Sequence, residues 1–195
     1  MLRPSALSGS LRMLVAVVAL GTMPPASGLA IAAEAAIPAE KNPPGDIPDS
    51  QVFIEFKSPA GFSMKVPEGW SRTGTANGAT FADKYDSIEV GIGALATAPT
   101  IASVEANEAK ALQTSDRAVK IASIKAAKLD GGDAVIIAYS ANSDPNAVTN
   151  KQIRLERARY LIFKSGKLVT LDMAAPLGAD NVDQWALMSK SVRIN

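Results

Sequence analysis

The sequence predicts one α+β domain in which helices cover a central antiparallel sheet. Several segments alternate apolar and polar side chains with the two-residue period of strands, and turn-forming residues separate them. Two other segments place apolar residues at helical spacing instead. The 195 residues are 47% hydrophobic and 20% charged, which is ordinary for a chain that buries a single core. Consecutive antiparallel strands with few helices favour a sheet that helices cover.

The first two predicted strands form a hairpin. Residues 52–57 alternate between the two faces of a half-buried strand, and residues 62–66 repeat the alternation. Pro59-Ala60-Gly61 lies between them and supplies the turn. Trp70 follows the hairpin and is expected to fold back on the core.

The remaining elements follow in a simple order. In the strand predicted at 87–95, Ile88, Val90 and Ile92 share one face, while Gly91 and Gly93 lie on the other. A helix follows Pro99, with Thr100 or Ser103 as its cap, and a terminal helix begins behind Asp180. The other predicted strands are 79–83, 119–125, 134–140, 153–163 and 168–174.

The N-terminal 33 residues have the pattern of a signal peptide. Arg3 and Arg12 give a positive start without an acid, and the apolar run 13–20 is too short to anchor a helix across a bilayer. Ala30-Ile31-Ala32 offers the small residues of a cleavage site, and Ala26-Ser27-Gly28 offers a second. An uncleaved, membrane-anchoring N-terminus is the alternative. Cleavage predicts a periplasmic or secreted protein with no stable membrane span.

Residues 34–50 are rich in Pro and Ala and predict a flexible or extended segment, so that the single folded domain comprises residues 51–195. Without residues 1–33 the chain has 18 basic and 19 acidic side chains. This balance gives no basic face for nucleic acid. The chain has no Cys and no His, which excludes a thiolate nucleophile, a Cys/His zinc site and a Ser-His-Asp triad. We therefore predict no catalytic residue, no metal site and no cofactor.

A family resemblance covers about residues 50–195. The stretch from Gly61 to Trp70 reads GFSMKVPEGW and resembles the opening hairpin of PsbP-like proteins. Residues 131–139 resemble the family's turn and next strand, residues 159–171 its long hairpin, and residues 175–193 its closing helix. The resemblance implies an α/β/α sandwich with a central antiparallel sheet. Relatives include an extrinsic subunit of photosystem II, Ran-binding nuclear proteins and bacterial envelope lipoproteins, most of which act by binding.

The densest charge of the chain lies at residues 154–159. On a strand, Arg157 and Arg159 project to one face, and Arg154 projects to the other with Glu156. Guanidinium groups on one face are suited to an anion or to the acidic patch of a partner, so these three arginines are the candidate partner-binding residues. The competing interpretation is a set of cross-strand ion pairs, for instance to Asp172.

Two pairs of acids and one pair of glycines could also belong to a functional site, but their patterns favour structural roles. Asp83 with Asp86, and Asp130 with Asp133, have the composition of tight turns and lack the spacing of a calcium loop. The glycines at 91 and 93 lie inside a strand pattern, which favours close packing or a bulge over a phosphate-binding loop.

Three hypotheses for function remain open. The leading one is an exported, non-enzymatic binding or accessory protein that assists an envelope protein complex, contacting it through the Arg157/Arg159 face and the 33–50 segment. The second is a carrier of a small apolar ligand, which requires a cavity behind Ile88, Val90 and Ile92. The third is a hydrolase that uses Asp or Glu, which requires two carboxylates in one pocket.

Overall fold

The computed structural model describes residues 34–195. The expected signal peptide, residues 1–33, lies outside the described residues. Within residues 34–195, no helix has the length and apolar character needed to cross a bilayer.

The described chain contains ten strands and three helices. The strands are β1 (Phe53–Ser58), β2 (Phe62–Pro67), β3 (Ser71–Gly74), β4 (Gly78–Ala82), β5 (Ser87–Ala94), β6 (Arg117–Leu129), β7 (Gly132–Asn142), β8 (Arg154–Lys164), β9 (Lys167–Pro176) and β10 (Arg193–Ile194). The helices are α1 (Ile101–Ala106), α2 (Glu108–Ser115) and α3 (Val182–Ser191).

The strands form two antiparallel sheets. Seven strands pair in the order β3-β4-β5-β9-β8-β7-β6, and β1, β2 and β10 form a second sheet with β2 in the middle. The predicted hairpin is confirmed: Ser58 pairs with Phe62 across the turn, and Gly61 takes the positive φ of +100° that the turn requires.

The larger hydrophobic core lies between the two sheets. One face of the seven-stranded sheet contributes the even-numbered residues of β5, of which Ile88 and Val90 are almost fully buried. Phe62 and Met64 of β2 and Met188 of α3 pack against this face from the other side. The alternation in the sequence therefore predicted correctly which side of β5 faces the core.

Helices α1 and α2 pack on the opposite face of the seven-stranded sheet. Thr100 caps α1, because its hydroxyl accepts a hydrogen bond from the Ser103 amide at 3.1 Å and the Ser103 hydroxyl accepts one from the Thr100 amide. The predicted single helix is interrupted at Asn107. Val104 and Leu112 bury against Ile137 and form a second, smaller core.

The α+β class is confirmed, but the layers differ from the prediction of a sheet covered by helices alone. One face carries α1 and α2, whereas the other face carries the β1-β2-β10 sheet together with α3. Beyond its first hairpin, this second sheet was not predictable from the sequence pattern, because β10 is only two residues long.

Residues 34–50, here called the N-terminal arm, contain no helix or strand and lie against the domain at two places. At the first, Glu34 accepts hydrogen bonds from Asn142 and Gln152, both at 2.8 Å, and forms an ion pair with Arg117 at 2.8 Å. These contacts, that of Asn142 first, lower the pKa of Glu34 to about 2.

At the second place, the arm meets the residues that precede α3. The Ile47 amide donates to the Asn181 side chain at 2.6 Å, and Asn181 donates to the Gly45 carbonyl at 2.8 Å. Ile47 is buried in the larger core. Asn181, rather than the predicted Asp180, occupies the cap position of α3, and its side chain binds the arm instead of the helix. The arm therefore has specific contacts with the domain, which its composition did not predict.

Candidate functional site

An open groove lies beside α1 and α2 on the same face of the seven-stranded sheet. Its cavity volume is about 400 Å³, which is in the range of small-molecule and peptide side-chain sites. Polar side chains from four strands and the loop before β4 line it: Thr75, Asn77, Thr80, Glu89, Arg159, Thr170 and Asp172.

The floor of the groove has two glycines. A Cβ atom placed on Gly93 would meet no heavy atom within 4 Å, and one on Gly91 would meet only the Asn77 carbonyl oxygen, at 3.9 Å. The β5–β9 register runs through both positions without a shift. The prediction of close packing or a bulge at Gly91 and Gly93 is therefore wrong, and both positions have room for a side chain.

The close approach that a glycine permits occurs one strand away. A Cβ on Gly78 would lie 1.9 Å from the Val90 carbonyl oxygen, so only glycine fits there. Gly78 pairs directly with Gly91. The absence of side chains at Gly91 and Gly93 thus leaves the groove open without serving the packing of the sheet.

Arg159 lines the groove and shares one buried carboxylate with Arg157. Asp172, only 3% exposed in its side chain, accepts from Arg157 at 2.9 Å through one oxygen and from Arg159 at 2.7 Å through the other. Arg157 also pairs with Asp116 at 3.1 Å, and Arg159 with Glu108 at 3.4 Å. The cross-strand ion pairs to Asp172 that the sequence suggested are present.

Tyr139 completes this cluster. Its hydroxyl donates to Asp172 at 3.1 Å, and the guanidinium of Arg157 lies 5.5 Å from the centre of its ring. Burial raises the pKa of Tyr139, and the neighbouring charge of Asp172 raises it further. Burial by itself lowers the pKa of Arg157, but the combined effects of Asp172, Tyr139 and Asp116 outweigh it and the net shift is upward. Tyr139 is therefore neutral and Arg157 charged near neutral pH.

Arg154 does not belong to this cluster. It is 4% exposed and donates to the Ser140 hydroxyl at 2.7 Å, the Asn142 side chain at 2.9 Å and the Ala118 carbonyl at 2.8 Å. Ala118 has a positive φ of 48°, and the hydrogen bond from Arg154 holds this strained turn of the edge strand. The three arginines therefore do not share a surface, and a role of Arg157, Arg159 and Arg154 in partner binding stays a prediction.

The acid pairs singled out in the sequence take part in turns. Asp83 accepts from the amides of Tyr85 at 2.7 Å and Asp86 at 2.8 Å, as an Asx-turn does. Asp130 pairs with Arg193 at 2.7 Å beside the β6–β7 turn. Residues 34–195 contain no group of three or more His, Cys, Asp or Glu side chains that could hold a metal ion.

The groove does bring two carboxylates onto neighbouring strands, because Glu89 and Asp172 are paired residues of β5 and β9. Both oxygens of Asp172, however, accept from guanidinium groups. Asp172 therefore serves the ion-pair cluster and is not a free partner for Glu89 in acid–base chemistry. Sequence reasoning missed Glu89 as a groove residue, although its alternation with Ile88 and Val90 placed it on the same face as the glycines.

Comparisons with known proteins support the fold. No family model and no curated protein matches the sequence. The solution structure of cyanobacterial PsbP (CyanoP) from Synechocystis sp. PCC 6803 superimposes with a TM-score of 0.51 at 15% identity, covering 77% of this chain and 98% of that one. The expected PsbP-like fold is therefore confirmed, and at this identity the likeness establishes the fold alone.

Two further solved structures are similar at lower scores. A protein from Bacteroides thetaiotaomicron has a TM-score of 0.49 at 10% identity, covering 72% of this chain and 48% of that one. A Pseudomonas aeruginosa protein of unknown function, PA94, has a TM-score of 0.45 at 10% identity, covering 69% and 91%.

Proposed function

We propose that this protein is an exported, non-enzymatic binding protein that assists a protein complex of the cell envelope, and that the groove is its recognition surface. The observation that carries the proposal is the glycine floor. Gly91 and Gly93 lie in a strand, where glycine costs about 0.5–1 kcal/mol relative to a residue with a side chain, and nothing in the fold requires them. A ligand group that needs the space accounts for both.

The polar lining favours a partner's side chains over an apolar molecule. Glu89, Thr80 and Thr170 offer hydrogen-bonding groups around the floor, and the Arg159–Asp172 pair forms one wall. The carrier hypothesis requires space on the other side of β5. There Ile88 and Val90 are 1% and 2% exposed and pack into the larger core.

Export to the periplasm supplies the setting of the proposal and rests on the N-terminal sequence pattern. The hydrolase hypothesis has no specific observation in its favour, because one of the two groove carboxylates is engaged by both arginines. The PsbP-like fold is compatible with a binding role but does not select a partner.

The test is affinity capture of the exported protein from its own cells. A Gly93→Phe variant fills the groove. An Ala122→Phe variant is the control, because it adds the same ring at an exposed position on β6, the edge strand at the far end of the sheet from β3. We expect a stoichiometric envelope protein with the wild type and with Ala122→Phe, and its loss with Gly93→Phe.

Equal capture by all three forms would refute the groove as the recognition surface. A monomer that carries a stoichiometric small molecule in native mass spectrometry would instead support the carrier hypothesis. Arg157 and Arg159 are unsuitable as first substitutions, because removing either leaves Asp172 partly unpaired and changes stability together with binding.

A further inference from the structure

Asp86 is a buried carboxyl group beneath the N-terminal arm. It follows the turn between β4 and β5 and is 4% exposed. Its Oδ1 atom is buried without a hydrogen-bond partner among residues 34–195. A Cβ atom on Gly45 would lie 3.0 Å from this oxygen, so the backbone of the arm packs directly on the carboxyl group.

The charged groups that act on Asp86 are all acidic. Asp83 comes from its own turn, Asp46 from the arm and Glu156 from β8. Asp180, before α3, faces Glu156 in turn. The neighbouring base, Lys84, stacks its ammonium group on the ring of Tyr85 at 4.9 Å.

An ionised Asp86 is therefore unfavourable while the arm is in place. Burial first, and then the charges of Asp83, Asp46 and Glu156, raise the pKa of Asp86 from 3.8 to about 7. No three carboxylates among residues 34–195 are grouped closely enough to share a metal ion. A proton is thus the neutralising species that fits this space.

We propose that Asp86 is a proton-controlled latch for residues 43–49 of the arm: the neutral carboxyl holds this part against the domain, and its ionisation loosens it. The inference does not rest on the proposed function. It concerns only the second contact of the arm, where Ile47 and Gly45 bind Asn181. The first contact, at Glu34, has no part in it.

The direction of the pH effect follows from linkage. Opening of the arm exposes Asp86 to water and removes Asp46, which returns the pKa of Asp86 towards 3.8. An acid whose pKa is raised in the closed state favours closure fully below pH 4 and progressively less up to pH 7. The opening constant accordingly rises about tenfold per pH unit in this interval and is flat above it.

Hydrogen exchange on the full exported chain, with mass-spectrometric detection, tests the latch. The reporter is the Ile47 amide, which donates to Asn181, and the internal control is the Ile37 amide, which donates to Asn142 at the other end of the arm. Dividing wild-type rates by those of Asp86→Asn at the same pH removes the intrinsic pH dependence of exchange.

We expect this ratio at Ile47 to rise up to about 100-fold between pH 5 and pH 8, while the ratio at Ile37 stays constant. A ratio at Ile47 that does not change with pH would overturn the proposal. So would an equal rise at Ile37, because that result would mean a general opening rather than a local one.

A second variant keeps the proposal testable if Asp86→Asn does not fold. Asp46→Asn removes one repelling charge but keeps the oxygen that accepts from the Asp180 amide at 2.9 Å. The pH at which the Ile47 exchange rate, divided by that of Ile37 in the same chain, reaches its plateau should then move to a lower value. An unchanged plateau would contradict a role for the charge on Asp86.

Discussion

The stability of glycine variants in the sheet gives the sharpest test of the groove. Replacing Gly93 by valine adds a β-branched side chain to a strand, at a position where a Cβ meets no atom within 4 Å. Glycine within a strand costs about 0.5–1 kcal/mol, and the strand preference of valine adds to the difference. We expect Gly93→Val to raise the free energy of unfolding by about 0.5–1 kcal/mol. In a domain of this size that corresponds to a rise in Tm of about 1–4 °C.

Gly78→Ala is the matched control with the opposite sign. The added methyl group would lie 1.9 Å from the Val90 carbonyl oxygen, so β4 and β5 have to separate. Overpacking of this kind costs about 3 kcal/mol or more when the obstacle is backbone. Urea unfolding followed by circular dichroism measures both changes. The reasoning fails if Gly93→Val lowers stability, because that would show that the fold itself needs the glycine.

Three further predictions concern buried polar groups. Asp172→Asn removes the charge shared by two arginines and should lower the free energy of unfolding by about 3 kcal/mol, measured by urea titration. A loss below about 0.5 kcal/mol would show that stability does not depend on the ion pairs. In Arg154→Lys, the lysine cannot replace the hydrogen bonds of the guanidinium group, so the free energy of unfolding should fall by about 2 kcal/mol in the same assay. A variant as stable as the wild type would argue against stabilisation of the edge strand by Arg154. The free energy of unfolding of the wild type should fall by about 4 kcal/mol at most between pH 4 and pH 7, because the pKa of Asp86 is raised to about 7. The Asp86→Asn variant should lack this fall in thermal unfolding curves recorded across that range.

The strands were predictable where one face is buried. In β5 the residues Ile88 and Val90 mark the core face by themselves, so the register follows from the alternation. The strands β3 and β10 were missed because neither has a buried face marked by alternating apolar residues. The first is exposed along its whole length, and the second has only Ile194 on its buried side.

The candidate site was predictable only in its parts. The alternation of residues 87–94 places Glu89 with the glycines, and the arginine spacing places Arg157 and Arg159 together. Their meeting at Asp172 depends on the order in which β5, β9 and β8 pair. That order is set by contacts between distant segments, which local patterns do not contain.

The N-terminal arm also shows that local sequence patterns do not predict contacts between distant segments. Its proline-rich composition correctly predicts a lack of helix and strand, since proline has no amide to donate. Its position depends instead on single polar side chains of the domain, Asn142 and Asn181, that bind its backbone. Nothing in the local sequence around either asparagine distinguishes it from an ordinary surface residue.

The pairing of β10 with β2 has a consequence for the order of folding. The middle strand of the smaller sheet receives its second neighbour from a segment far along the chain, as the hydrogen bond between Lys65 and Ser191, 126 residues apart, also shows. During synthesis, β1 and β2 emerge early with Phe62 and Met64 uncovered, and they cannot acquire their full complement of contacts until α3 and β10 exist. Such long loop closures slow folding. A growing chain of this protein therefore spends most of its synthesis time without a finished core, which makes it a good substrate for chaperones and for any machinery that handles unfolded chains.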